Sequence, residues 1–144
     1  MDYDIFISHC HKDKLKYVDN LAEELKKIGI KLFYDSNDIT WGDNIKDRID
    51  HGLKNCKLAI VVISNKYFGR EWTEYEIEML LKRQCIENRK FILPILHQIK
   101  KRDLEKHYPQ LRNISFKYSK SQSTKRLAEE AKNELEKIKG DINK

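Results

Sequence analysis

The segment Glu71-Trp72-Thr73-Glu74-Tyr75-Glu76 alternates carboxylates with aromatic rings. On a helix, neighbours lie three and four residues apart. Glu76 then sits beside Trp72 and Leu80 at four and beside Thr73 and Met79 at three, so its surroundings are mostly apolar. Glu74 has Arg70, Glu71 and Glu78 around it, so Glu74 and Glu78 read as solvated surface residues. A carboxylate on a packed stripe loses hydration, and burial favours its neutral form. Such groups concentrate at functional sites. Spacing alone leaves two readings open: a working carboxylate, or a residue at the rim of the stripe paired with a nearby Lys or Arg.

Other combinations carry less. His9-Cys10-His11 holds metal-ligating atoms, but adjacent residues rarely converge on one ion. No second cluster has the spacing of a structural zinc site, so no metal is expected. Cys10 and His97 both follow strand-like segments, yet nothing orients them as a nucleophile and its base. Neither GxGxxG nor GxxxxGK[ST] is present, which argues against a Rossmann site and a P-loop. The acidic pair expected after the first strand of a response-regulator receiver is replaced by Ser8-His9-Cys10-His11.

The elements that must position these residues alternate strand and helix. Tyr3–Ser8 reads as a first strand. Asp13 can cap a helix whose stripe is Leu15, Val18, Leu21, Ala22, Leu25 and Ile28, closed by Gly29. Ile30–Tyr34 reads as a second strand. A polar loop through Asp35, Asp38, Trp41 and Gly42 leads to Asp43 as the cap of a helix carrying Ile45, Ile49 and Leu53. Leu58–Ile63 is an unbroken apolar run suited to a strand buried on both faces. A helix over Glu71–Glu87 follows. Phe91–Leu96 reads as a fourth strand despite Pro94, and Ile114, Phe116 and Tyr118 as a weak fifth. Leu127, Ala128, Ala131, Leu135 and Ile138 mark a terminal helix. Alternation of this kind predicts parallel βαβ units and right-handed crossovers. The expected fold is flavodoxin-like α/β: three layers, α/β/α, around a five-stranded parallel sheet of order 2-1-3-4-5. Its switch point lies between strands 1 and 3, where Ser8–His9 and Ser64–Asn65 stand.

The bulk numbers agree with one domain over residues 1–144. Hydrophobic residues make up 40% and charged residues 36% of the 144, a globular balance. No apolar run approaches the roughly 20 residues of a membrane span, and no secretory signal is visible. Cys10, Cys56 and Cys85 are odd in number and form no CxxC, which suits a reduced cytoplasmic setting. The net charge of +6 comes entirely from residues 100–144, with 13 basic and 7 acidic side chains. Lysines and glutamates alternate there without aromatics, the mark of a solvated helix face. Neither nucleic acid nor membrane is expected as a partner.

Several segments together resemble a TIR domain of the bacterial type: Tyr3-Asp4-Ile5-Phe6-Ile7-Ser8-His9, Leu32-Phe33-Tyr34-Asp35, Gly42-Asp43-Asn44-Ile45 through Ile49-Asp50-His51-Gly52-Leu53, Trp72-Thr73-Glu74-Tyr75-Glu76, and Ile92-Leu93-Pro94-Ile95 with His97. The resemblance runs from Tyr3 to about Ile138. It implies the fold just described and, as in many bacterial members, cleavage of NAD+ between nicotinamide and ribose. The product would be ADP-ribose or a cyclic or base-exchanged form that signals in antiphage defence to a separately encoded effector. The family's WxxxE motif falls on Trp72 and Glu76, so the resemblance implies that Glu76 is the catalytic residue. Ser8, His9, Asp35, Trp72 and Tyr75 are implied to line the substrate pocket. The loop with Asp38, Trp41, Gly42 and Asp43 is implied to mediate TIR–TIR self-association. Trp41 departs from the bacterial pattern, and such a Trp would anchor assembly or cover the pocket. NAD+ would be substrate, with no cofactor. The alternative is an adaptor that acts by assembly alone.

The chemistry is economical. Nicotinamide leaves NAD+ neutral and needs no proton, so the usual pair of glycosidase carboxylates reduces to one. That one stabilises positive charge growing on the ribose.

Overall fold

A computed structural model of the chain describes residues 2–10, 16–34 and 39–142. Asp13, Leu15, His11, Asp35 and Asp38, named above, lie outside the described residues. The element order is β1 (Tyr3–Ser8), α1 (Lys16–Lys27), β2 (Leu32–Tyr34), α2 (Ile45–Asn55), β3 (Cys56–Ile63), α3 (Glu71–Glu87), β4 (Ile92–Leu96), α4 (Lys101–His107), β5 (Lys117–Tyr118) and α5 (Thr124–Ile142). Short 3-10 turns occupy Asn65–Tyr67 and Pro109–Leu111.

The five strands are parallel and lie in the order β2-β1-β3-β4-β5, as expected. Side chains alternate across the sheet. Ile5, Ile7, Leu58, Ile60 and Val62 pack with Val18, Leu21, Leu25, Leu127 and Leu135 of α1 and α5. Phe6, Phe33, Ala59, Val61 and Ile63 pack with Ile49, Leu53, Ile77 and Leu80 of α2 and α3. Two cores on two faces are what an unbroken run such as Leu58–Ile63 requires.

Several boundaries differ from those expected, each for a local reason. β3 begins at Cys56 rather than Leu58, because α2 runs into it without a loop. β2 is shorter than Ile30–Tyr34. The Lys31 carbonyl instead accepts from Asp4 N and Ile5 N, and Lys31 N donates to the Asp4 carboxylate at 2.9 Å. The cap of α2 is Asn44, not Asp43: Asn44 Oδ1 accepts from Asp47 N at 3.0 Å. Asp43 instead closes the preceding turn by accepting from Thr40 N (2.8 Å) and Thr40 Oγ1 (3.1 Å). Those hydrogen bonds hold its carboxyl below the usual range. Asn44→Ala is therefore expected to cost about 1 kcal/mol of stability, read from denaturant unfolding. A loss of that size from Asp43→Ala instead would return the cap to Asp43.

Pro94 fits β4 because of parity. In a parallel strand the N–H and C=O of one residue face the same neighbour. Phe91 O and His97 N bond to β3, whereas Leu96 O bonds to Ser119 N beyond β5. Pro94 shares the parity of Leu96, so its missing N–H faces the β5 side. There β5 pairs only from Ile95↔Lys117 and Leu96↔Tyr118. The fifth strand is accordingly two residues long, shorter than Ile114–Tyr118. Helix α4 went unexpected, since Leu104 is its one buried residue.

Candidate active site

The site is built where β1 and β3 end. Ser8 closes β1 and pairs with Val61 of β3. It has the parity of Phe6, so its hydroxyl faces α3. Helix α3 starts at Glu71 and brings Glu76 one and a half turns in, on the side that carries the buried Thr73, Ile77 and Leu80. Ser8 Oγ donates to Glu76 Oε1 at 2.6 Å. Glu76 is 1% exposed and Ser8 0%. Burial this deep removes the reading of Glu76 as a rim residue.

A third group completes the cluster. Tyr67 ends the 3-10 turn after β3, and its hydroxyl lies 2.7 Å from Ser8 Oγ. It is fully buried, and its phenol is pushed well above the ordinary value, first by burial and then by the charge of Glu76. The turn that holds it is fastened to α3 at two more points. Thr73 Oγ1 donates to Tyr67 O at 2.6 Å, and Gly69 N donates to Glu74 Oε1 at 2.8 Å. Gly69 has φ +73°, where a side chain would be strained. Glu74 Oε1 also accepts from Tyr108 OH at 2.6 Å. Glu74 is thus half-buried and structural, contrary to the surface reading. Spacing on its own helix could not reveal partners from the turn and from the end of α4. Glu78 is exposed, as expected.

The remaining expected site residues divide. His9 is buried and packs its ring 5.2 Å from that of Tyr34, whose hydroxyl donates to Asp19. Trp72 is half-buried, edge-on to Tyr75 at 6.0 Å. Tyr75 is turned away from Glu76 and toward α2: its hydroxyl donates to Asp50, and Lys46 Nζ lies 5.6 Å from its ring. Consecutive helical residues point about 100° apart, which separates Tyr75 from Glu76. Trp41 is fully exposed and covers nothing. Gly42 has φ +93°, and Asp43 holds the Thr40 turn beside it. Tyr67 was missed. Its one sequence signal is an aromatic ring three residues beyond Ser64, in the turn leaving the switch point.

Open clefts lie elsewhere. One of about 330 Å³ runs between β4, β5 and α5, lined by Leu93, Phe116 and Leu127. Another of about 480 Å³ lies at the ends of β4 and β5, lined by Tyr17, His97, Lys100 and Ser119. Neither touches Glu76. Size does not outweigh chemistry here: the buried, hydrogen-bonded carboxylate is at the switch point, and the clefts are not.

Comparison with known proteins shows the family. A family profile described as "TIR domain" matches residues 5–136. The chain is 40% identical over 110 residues to the 2' cyclic ADP-D-ribose synthase AbTIR of Acinetobacter baumannii, covering 76% of this chain and 40% of that protein. It is 34% identical over 128 residues to the NAD(+) hydrolase TcpC of Escherichia coli, covering 89% of this chain and 42% of that one. The chain thus spans about two fifths of the length of these relatives. Among solved structures, the TIR domain of the Toll-related receptor TRR-2 from Hydra magnipapillata superposes with a TM-score of 0.71 at 22% identity, over 95% of this chain and 98% of that one. That likeness bears on the fold alone. With the profile match over nearly the whole chain and the sheet order in agreement, the chain belongs to the TIR domain family.

Proposed function

We propose that this chain cleaves NAD+ between nicotinamide and ribose, with Glu76 as the essential carboxylate. The observation that carries the proposal is the buried Glu76, held by Ser8 at 2.6 Å at the carboxyl end of β1. Support comes from relatives named NAD(+) hydrolase and 2' cyclic ADP-D-ribose synthase. A carboxylate shielded from water stabilises the cation that forms as nicotinamide departs. Trp72, at the edge of the cluster, offers an aromatic face to the leaving ring. Product identity then depends on which nucleophile reaches the ribose carbon first: water gives ADP-ribose, and an oxygen of the second ribose gives a 2' cyclic form. The product acts as a nucleotide signal for a separate effector, in defence against phage.

Because Glu76 is sealed, substrate entry requires the neighbouring loops to move, and self-association through the loop of the fully exposed Trp41 supplies that movement. The test is incubation with NAD+ at high protein concentration, followed by chromatography of nicotinamide, ADP-ribose and cyclic products. Release from the native chain that rises more than linearly with protein concentration is the expected result. Negligible release at every concentration, with and without a crowding agent, would transfer the proposal to an adaptor that works by assembly alone.

A further inference from the structure

We infer that Tyr67 is a positioning residue for the carboxylate: it donates to Ser8, which donates to Glu76, in a directed relay that fixes Glu76 and favours its charged form. This rests on the reading of Glu76 as the working carboxylate.

The direction follows from counting hydrogens. Serine and tyrosine hydroxyls each have one hydrogen to donate. Ser8 spends its hydrogen on Glu76 Oε1 at 2.6 Å. The 2.7 Å contact between Ser8 Oγ and Tyr67 OH therefore has Tyr67 as donor. Tyr67 and Ser8 are fully buried and Glu76 is 1% exposed, so water does not compete for these bonds. Successive donated bonds polarise one another, and a hydrogen bond to a charged acceptor is the strong kind. The phenol remains neutral throughout the working range, because burial and the charge of Glu76 both oppose its ionisation.

The fastening of the turn has a purpose in this light. Thr73 grips the Tyr67 carbonyl and Glu74 grips Gly69 N, so α3 itself sets the height at which the phenol meets Ser8. The carboxylate and the group that steadies it are registered on the same helix. Titratable groups on the elements packed about the cluster include Tyr67 from the turn after β3, Tyr108 packed edge-on to it at 6.2 Å from beyond α4, and Glu74 on α3, while His9, next to Ser8 in the chain, sets its ring against Tyr34. Of these, Tyr67 brings its hydroxyl to Ser8 Oγ, at 2.7 Å.

The test is titration of the Glu76 side-chain carboxyl carbon by NMR in four chains: native, Tyr67→Phe, Ser8→Ala and the double variant. Ser8→Ala is expected to make Glu76 a weaker acid by about tenfold. Tyr67→Phe, acting at one remove, weakens it by roughly threefold. In the Ser8→Ala background, Tyr67→Phe adds less than about twofold, because the path is already cut. An unchanged Glu76 midpoint in Tyr67→Phe, or an equal shift in both backgrounds, would overturn the relay. Should Tyr67→Phe not fold, an unchanged midpoint in Ser8→Ala would overturn it alone. The titration uses no substrate. A chain that shows the coupling but releases no nicotinamide keeps the relay and loses the proposed function. A chain that does both will show the acid limb of its pH–rate profile displaced upward by the same factors.

Discussion

Glu76→Gln is expected to lower nicotinamide release by roughly 10²- to 10³-fold or more while leaving the chain at least as stable as the native form. The first half follows from charge: glutamine keeps the volume and the carbonyl that accepts from Ser8, but it cannot balance a cation growing on ribose. The second half follows from burial. Taking a carboxylate out of water is costly in its charged form, and Glu76 is 1% exposed. The amide avoids that cost. A gain of about 1 kcal/mol would raise the melting midpoint by about 2–4 °C in a chain of this size. Calorimetry beside the activity assay checks both halves. Loss of activity together with a lower midpoint would make Glu76 a structural strut and remove it from the chemistry.

Gly52→Ala is expected to destabilise the fold by about 2–3 kcal/mol, although alanine is the better helix former by about 1 kcal/mol. A methyl at Gly52 of α2 would lie 2.6–2.8 Å from three ring carbons of Phe33. That ring cannot give way. It is fully buried, stacked on Phe6 at 5.0 Å and met edge-on by Tyr3 at 5.3 Å. The glycine lets α2 lie against the Phe33 ring of β2. Urea unfolding of the variant measures the effect. A neutral or stabilising result would mean that α2 can slide outward at little cost.

The sheet order was legible because its evidence is distributed: β3 announces itself by an apolar run, and α1, α3 and α5 by stripes several turns long. Short elements were not. Helix α4 buries only Leu104, and β5 pairs through two residues that include an exposed lysine. Periodicity has nothing to read in either. At the site, Glu76 stood out because its partners in the stripe lie on its own helix, within reach of a spacing argument. Tyr67 and the anchoring role of Glu74 did not, since their partners are 59 and 34 residues away in the chain. The same limit explains Tyr75. Its neighbours in sequence suggested the pocket, but a hydroxyl acceptor on α2 decided its direction. Asn44 displaced Asp43 as cap because Thr40 claimed the Asp43 carboxylate first.

The lengths of the outer strands have a bearing on aggregation. The sheet is deepest in the middle, at the eight residues of β3, and tapers to three in β2 and two in β5. An edge that short offers a foreign strand almost no row of free amides to copy, and Pro94 deletes one more donor beside β5. A sheet with edges this short resists fibril-like pairing even where copies of the chain are crowded together. Any self-association proposed above would then run through side-chain surfaces, which can be reversed.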